Sequence, residues 1–364
     1  MEQWRQDRLI DILDTLIDYR GKTPNKVDCG IPLITAKIVK NGRIDTPTEF
    51  LPTEDYNGWM VRGFPQVGDV VLTTEAPLGE VAQLTDEKIA LAQRIVCLRG
   101  KEGVLDNTYL KYFFLSNIGQ NRLKARETGT TVTGIKQSEL KEILIDYPKI
   151  DTQKAIASVL SSLDAKIELN RRINDNLEQQ AQALFKSWFV DFEPFKDGKF
   201  VESELGMIPE GCRVGKAEDF YNINIGKTPP RKEQVWFSSN SSDYIWVSIS
   251  DLGSCGRFVL TSSELLTHEA IKKHNIILVP KDTILLSFKL TIGRVGIAGT
   301  ELTTNEAIAR FITSDENREY TYFLLKGYNY EKLGSTSSIA TAVNSKIIKA
   351  MVVLMPDKEI LKAF

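Results

Sequence analysis

Residues 151–190 read DTQKAIASVLSSLDAKIELNRRINDNLEQQAQALFKSWFV, a stretch with no glycine or proline and rich in Ala, Leu, Gln, Glu and Lys. Such side chains lose little rotamer freedom in a helix, and every residue keeps its backbone N–H, so the stretch predicts one long helix. Asp151 or Thr152 is suited to cap it. Apolar residues recur at Ile156, Leu160, Leu163, Ile167, Ile173, Leu177, Ala181, Leu184 and Trp188, three or four apart except for one step of six around Asn170. That is a coiled-coil-like stripe with a single break, and such a stripe needs a partner. At 1.5 Å per residue, roughly 38 residues reach about 57 Å, longer than a link between packed domains requires. The helix therefore reads as a spacer.

What flanks it is a repeat. Laying the second half of the chain over the first, Gly21-Lys22-Thr23-Pro24 returns as Gly226-Lys227-Thr228-Pro229, and Pro32 to Ala36 followed by Gly42-Arg43-Ile44 returns as Ile245 to Ile249 followed by Gly256-Arg257-Phe258. Gly68 to Leu72 matches Pro280 to Leu286, Leu91 to Val96 matches Thr304 to Ala309, Tyr112 to Leu115 matches Tyr322 to Leu325, and Gly129-Thr130-Thr131 matches Gly334-Ser335-Thr336. One order throughout implies two copies of one domain. Short strands punctuated by Gly and Pro are expected at Ile31 to Ile34, Val70 to Thr74 and Arg94 to Leu98, and at Tyr244 to Ile249, Thr283 to Phe288 and Ala307 to Ile312. Helices are expected at Thr108 to Ser116 and Tyr320 to Leu325. The fold class is α+β, with two repeated α/β domains separated by the coiled-coil-like helix. The expected boundaries are 1–150, 151–198 for the helix and linker, 199–355, and 356–364 for the start of a second helix.

The 364 residues carry 46 Lys plus Arg against 48 Asp plus Glu, two His and four Cys, with 42% hydrophobic residues. A chain so nearly neutral does not bind nucleic acid through bulk charge, so any polyanion site must be local. The isolated Cys29, Cys97, Cys212 and Cys255 lack metal-ligand spacing and read as small buried hydrophobes in a reducing compartment. No signal-like segment and no run of about 18 apolar residues occurs, so a cytoplasmic location away from membranes is expected.

Catalytic motifs are missing. Gly21-Lys22-Thr23 and Gly226-Lys227-Thr228 look like the end of a phosphate-binding loop, but that loop needs a glycine five residues before its last one, and those positions hold Leu16 and Tyr221. His268 and His274 have no Glu between them at metalloprotease spacing and read as surface residues. No nucleophile elbow, dinucleotide fingerprint or Asn-Pro-Pro-aromatic amino-methyltransferase motif is present. No catalytic residue, metal or cofactor is expected in this chain.

The order of domain, Thr152 to Asn174 (TQKAIASVLSSLDAKIELNRRIN), Leu184 to Phe192 (LFKSWFVDF), Ile208-Pro209-Glu210-Gly211 and second domain resembles the specificity subunit of type I restriction-modification systems. The similarity covers essentially the whole chain and is strongest in the spacer helix. It implies two target-recognition domains, each reading one half of a split double-stranded DNA site in the major groove, held apart by helices that carry methyltransferase subunits. Restriction subunits join the larger complex, and S-adenosylmethionine, ATP and Mg belong to those partners. The family ends with a second spacer helix antiparallel to the first, whereas here Pro356 to Phe364 corresponds to Pro148 to Ile156 and the given sequence stops. An uncovered seam through Leu160, Leu163, Ile167, Ile173, Leu177, Leu184 and Trp188 then predicts a homodimer through the helix. Two other classes compete with this reading: a stand-alone DNA methyltransferase or nuclease, and a scaffold or inhibitor that binds the methyltransferase subunit without reading DNA.

Contact with DNA then falls on loops. Arg20, Lys22 and Thr23, repeated as Lys227, Thr228 and Arg231, offer cations and hydroxyls for phosphates. Arg122, Lys124, Arg126, Thr130, Thr131, Thr133 and Lys136 form a denser set, mirrored by Lys332, Ser335, Thr336, Ser337, Ser338, Asn344 and Lys346. Gln93 and Arg94, with Lys289 and Arg294, have the reach to pair with adenine and guanine edges. For any single cation the plain alternative is a solvated surface charge. The aromatic cluster Trp188, Phe189, Phe192 and Phe195 reads first as packing at the helix end, and second as a patch for a protein partner.

Overall fold

The computed structural model describes residues 4–19, 21, 23–86, 88–129, 133–333 and 343–364. The chain divides into two compact units, Met1–Ile173 and Asn174–Phe364, the division falling inside the long helix.

In the first unit, Leu13–Asp18, Ile95–Gly100, Val70–Thr74 and Leu78–Gln83 form a four-stranded sheet in that spatial order, each neighbour antiparallel. Val70–Thr74 is buried on both faces, which is why it reads as a run of apolar residues and threonines rather than an alternation. Strand geometry sends successive side chains to opposite faces. Val70, Leu72, Val96 and Leu98 accordingly enter one core with Leu110, Phe113 and Phe114. Val71, Ala82, Ile95 and Cys97 enter the other with Leu33, Val39 and Leu91. Ile31–Ile34 pairs in parallel with Ala90–Leu91, and Arg5–Arg8 pairs antiparallel with Leu144–Tyr147.

The second unit repeats this plan. Asn222–Ile225, Ile308–Ile312, Ile284–Ser287 and Val295–Ala298 follow in the same spatial order, with Phe258–Val259 added in parallel at the edge. Tyr244–Val247 pairs in parallel with Thr303–Thr304, and Cys212–Lys216 pairs antiparallel with Val352–Pro356. The repeat seen in the sequence is therefore a repeat of topology.

Some local expectations change. The strand expected over Tyr244 to Ile249 stops at Val247 because Ser248 caps a helix, Ile249–Ser254, in a capping box with Asp251. The helix expected over Thr108 to Ser116 spans Asn107–Leu115, capped by the Asp106 carboxylate, and the one expected over Tyr320 to Leu325 extends across Asp315–Gly327. Cys29 is exposed and Cys255 half-buried, unlike Cys97 and Cys212. His274 is half-buried, its ring edge-on to Trp236 at 5.0 Å.

The long helix spans Ile150–Phe189, 40 residues, and starts ahead of the expected caps Asp151 and Thr152. Its first half is rooted by Gln153, fully buried, whose amide donates to the carbonyls of Val104 and Pro148 and accepts from the N–H of Asp106. Further along, Asp164 accepts from the Tyr112 hydroxyl at 2.7 Å and the Lys111 ammonium at 3.0 Å, and Glu168 faces Arg43 at 3.6 Å. In the second half, Glu178 accepts from Tyr322 at 3.0 Å and Lys326 at 2.6 Å and faces Arg257 at 3.9 Å. Tyr112 with Tyr322, and Arg43 with Arg257, are pairs that the sequence repeat aligned. Each unit thus meets acidic residues of the helix with the same tyrosine and the same arginine, two residues (Asp164 and Glu168) in the first unit and one (Glu178) in the second.

Leu163, Ile167, Ile173, Leu177 and Leu184 stay exposed, at 46–58% of their full area, and Leu160 is half-buried. Trp188 turns inward: with Phe185 and Phe189 it packs on Phe364, at 5.7 Å from its ring. Phe192 joins that cluster, and Phe195 meets Trp188 edge-on at 5.9 Å. Helix-end packing accounts for the aromatic group.

Candidate nucleic-acid interface

At the end of strand Val70–Thr74 in the first unit, a cleft of about 280 Å³ is lined by Thr23, Lys26, Lys37, Ala76, Gln93 and Arg94, among others. The Thr23 hydroxyl donates to Gln93 Oε1 at 3.0 Å, and the Arg94 guanidinium pairs with Glu75 at 3.0 Å. Beyond Ala76 and Pro77 lies a second cleft of about 490 Å³, lined by Gln120, Lys124, Glu127 and Thr133. Gly134 and Ile135 are tied to this strand end, the Ile135 N–H donating to the Thr74 carbonyl at 2.9 Å and Gly134 bridging to Glu75. Three segments far apart in sequence thus meet at one strand end.

The second unit brings together the matching pieces. The Thr228 hydroxyl donates to the Glu306 carboxylate, Lys227 Nζ donates to the His274 carbonyl at 2.5 Å, and the Lys227 N–H donates to the Thr304 carbonyl at 2.9 Å. The N–H of Phe288, at the foot of the turn that carries Lys289, donates to the Ala307 carbonyl next to Glu306. Gly226 is required because a Cβ there would lie 1.9 Å from the Asn305 carbonyl oxygen.

Among the described residues no cluster of His, Cys, Asp and Glu is arranged to hold a metal ion, and no helix is long and apolar enough to cross a membrane. Residues 1–179 and 209–363 match the type I restriction modification DNA specificity domain. The chain belongs to that family. It is 31% identical over 315 residues to the type I restriction enzyme MjaIX specificity subunit of Methanocaldococcus jannaschii, covering 84% of this chain and 70% of that one. It is 25% identical over 305 residues to the HindI specificity subunit of Haemophilus influenzae, covering 67% and 66%. The fold is shared with the crystal structure of the type I restriction-modification S subunit from M. genitalium, at a TM-score of 0.53 and 16% identity over 99% of this chain and 87% of that one. A specificity subunit is the non-catalytic, DNA-recognising component of such a system, acting with methyltransferase and restriction subunits.

Within this specificity subunit the expected contact residues fall into four groups. Thr23, Gln93 and Arg94, with Lys124 and Thr133 across the Ala76-Pro77 turn, are brought together, as are Lys227, Thr228 and the Lys289 turn. Others are engaged by their own unit. Arg122 bonds Asp146 and the Leu144 carbonyl, Arg126 bonds Glu139, and Arg294 donates to the Ile249 carbonyl at 2.7 Å. Arg231 forks onto both Glu264 oxygens at 2.8 Å while lying about 4.5 Å from the Phe237 and Trp246 ring centres. Asn344 caps the helix Ser345–Lys349, leaving Lys346 exposed, and Lys136 is exposed at the start of helix Gln137–Lys141. Arg20, Lys22, Thr130, Thr131, Ser335, Thr336, Ser337 and Ser338, and the side chain of Lys332, lie outside the described residues. The acidic partners Glu75 and Glu306 were missed in the sequence, although Glu75 directly follows the expected strand Val70 to Thr74 and Glu306 lies in a matched segment.

Proposed function

We propose that the chain reads a bipartite double-stranded DNA site, one half through each repeated unit, and docks methyltransferase and restriction subunits that hold S-adenosylmethionine, ATP and Mg, in the cytoplasm. One observation carries the reading: both copies set the threonine of Gly-Lys-Thr-Pro against the side chain at one repeat-matched position, Gln93 in the first and Glu306 in the second. The scaffold is constant and the reading residue differs. A glutamine amide pairs with adenine N6 and N7, whereas a carboxylate accepts from cytosine N4, so the two heads favour different bases. The helix Ile150–Phe189 serves as the spacer, and its exposed seam pairs with the same helix of a second copy when no other helix covers it.

Exchanging residues 1–150 for those of another specificity subunit tests the two-head reading. Methylome sequencing of cells carrying the exchange should show one half of the motif changed and the other kept. Change in both halves would indicate one composite site instead. The purified chain alone should neither bind S-adenosylmethionine nor transfer a methyl group, and transfer by the rigorously purified chain would return the catalytic alternative to the front.

A further inference from the structure

The turn joining strands Ile284–Ser287 and Val295–Ala298 holds Leu290 99% exposed, at φ +59°. Both properties are unfavourable: a branched side chain rarely enters the left-handed region, and glycine would satisfy the backbone without presenting an isobutyl group to water. The turn is not slack. The Ser287 hydroxyl donates to the Thr291 carbonyl at 2.6 Å and accepts from the Arg294 N–H at 3.1 Å, while Gly293 N–H returns to the Ser287 carbonyl at 3.0 Å. Phe288, 1% exposed, anchors its foot, and its N–H ties it to Ala307 beside Glu306. The corresponding turn of the first unit also forces a side-chain-bearing residue left-handed, Ala76 at φ +47°, and presents Ala76 and Pro77 to solvent between the two clefts. Backbone strain and apolar exposure at the same turn of both copies, beside the threonine-bearing loops, mark a surface shaped for a partner rather than for water.

We propose that Leu290 is a specificity-determining residue that reads a thymine by packing against its C5 methyl group in the major groove. That methyl is the one apolar feature which distinguishes a base edge there, and the exposed Lys289 beside it suits the adjoining phosphate. The inference rests on the DNA-reading role proposed above and adds the residue and the chemical group that it recognises.

The test compares the full chain, assembled with its methyltransferase subunit, with its Leu290→Ala variant. Because the side chain is fully exposed, the variant should melt with the parent. The wild-type motif should contain a thymine in the half assigned to the second unit, and Leu290→Ala should relax preference there about fourfold, the worth of one buried methyl group. Deoxyuridine in place of that thymine should weaken wild-type binding by about the same factor and leave the variant unaffected. Equal sensitivity of both proteins to uracil overturns the inference, as does a uniform loss across all sequences. Unstacking of a 2-aminopurine probe by the wild type alone would also overturn it, by making Leu290 a wedge. If the wild type yields no motif at all, the DNA-reading role fails first, and the two failures are thereby distinguished.

Discussion

Two buried polar side chains, each present in one copy of the repeat only, show what burial demands of a polar group. Gln153 satisfies three backbone groups, the N–H of Asp106 and the carbonyls of Val104 and Pro148, at 2.8–2.9 Å. Its counterpart in the repeat is Leu361, buried without such bonds. Gln153→Leu keeps the volume but orphans those groups, so urea denaturation should show a loss of about 2 to 4 kcal/mol. Arg310 is the opposite case. It is 2% exposed, bonded to Thr304 Oγ1 and the Ile277 carbonyl, with Nη2 lacking a partner among the described residues, and the matching position of the first copy is Cys97. Burial pushes its pKa down to about 10, so it is still charged at neutral pH. A cation whose folded value lies below its unfolded one opposes folding at all lower pH, and the penalty fades only as pH rises beyond about 10. Arg310→Met should therefore be neutral or stabilising at pH 7, by up to about 2 kcal/mol, and a clear loss of stability would show that its hydrogen bonds outweigh the cost of its charge. Neither role is legible in the sequence, because burial and partners come from segments far away. Gln93 and Thr23 were legible only as loop residues with suitable chemistry, and their mutual hydrogen bond joins two loops 70 residues apart in sequence.

At the scale of elements, the long helix was the clearest signal, since forty residues without glycine or proline and rich in strong helix formers leave the backbone little alternative. Leu13–Asp18 and Leu78–Gln83 were not anticipated. Leu13–Asp18 reads LDTLID with helix-like spacing and takes its strand conformation from pairing with Ile95–Gly100. Leu78–Gln83 carries a glycine and a glutamate, weak strand formers, that antiparallel pairing with Val70–Thr74 overrides. How the helix is held also escaped the sequence, because Asp164 and Glu178 look like surface charge until Tyr112 and Tyr322 are placed on them. For Asp164, burial favours the neutral acid, but hydrogen bonds from Tyr112 and Lys111 outweigh it and bring the pKa below its ordinary 3.8. Because the folded value is the lower one, this contact contributes fully above that ordinary value and is lost as pH falls through the folded value. Thermal unfolding between pH 7 and pH 3 should therefore show a slightly shallower acid-side decline for Asp164→Asn than for the parent, by less than about 1 kcal/mol given the exposure of the carboxylate. An identical decline would mean that the tyrosine grips the helix by packing alone.

Over the whole molecule, the repeat was readable because glycines, prolines and core residues recur in order, and the structure turns that order into one topology used twice. What varies between the copies is the set of residues on that frame: Gln93 against Glu306, Cys97 against Arg310, the Ala76-Pro77 turn against Leu290. Exposed apolar side chains also line the helix. Leu163, Ile167, Ile173 and Leu177 are each about half exposed, whereas the end of the stripe near Trp188 is covered by the helix Lys358–Ala363 and Phe364 of the same unit. An antiparallel, twofold pairing of two such helices would therefore centre on Leu163 to Leu177, with Leu160 and Leu184 at its margins. Burying these side chains from both copies, at about 1.5 to 3 kcal/mol each when complete, offsets the cost of association even at half efficiency. Light scattering at micromolar concentration should give twice the 41.0 kDa chain mass, and Leu163→Lys combined with Leu177→Lys should give the single mass with unchanged secondary structure, since both side chains already face solvent in one copy. A monomeric parent chain would reject the homodimer and leave the methyltransferase subunit as the partner for the seam, in which case the same double substitution should abolish its binding.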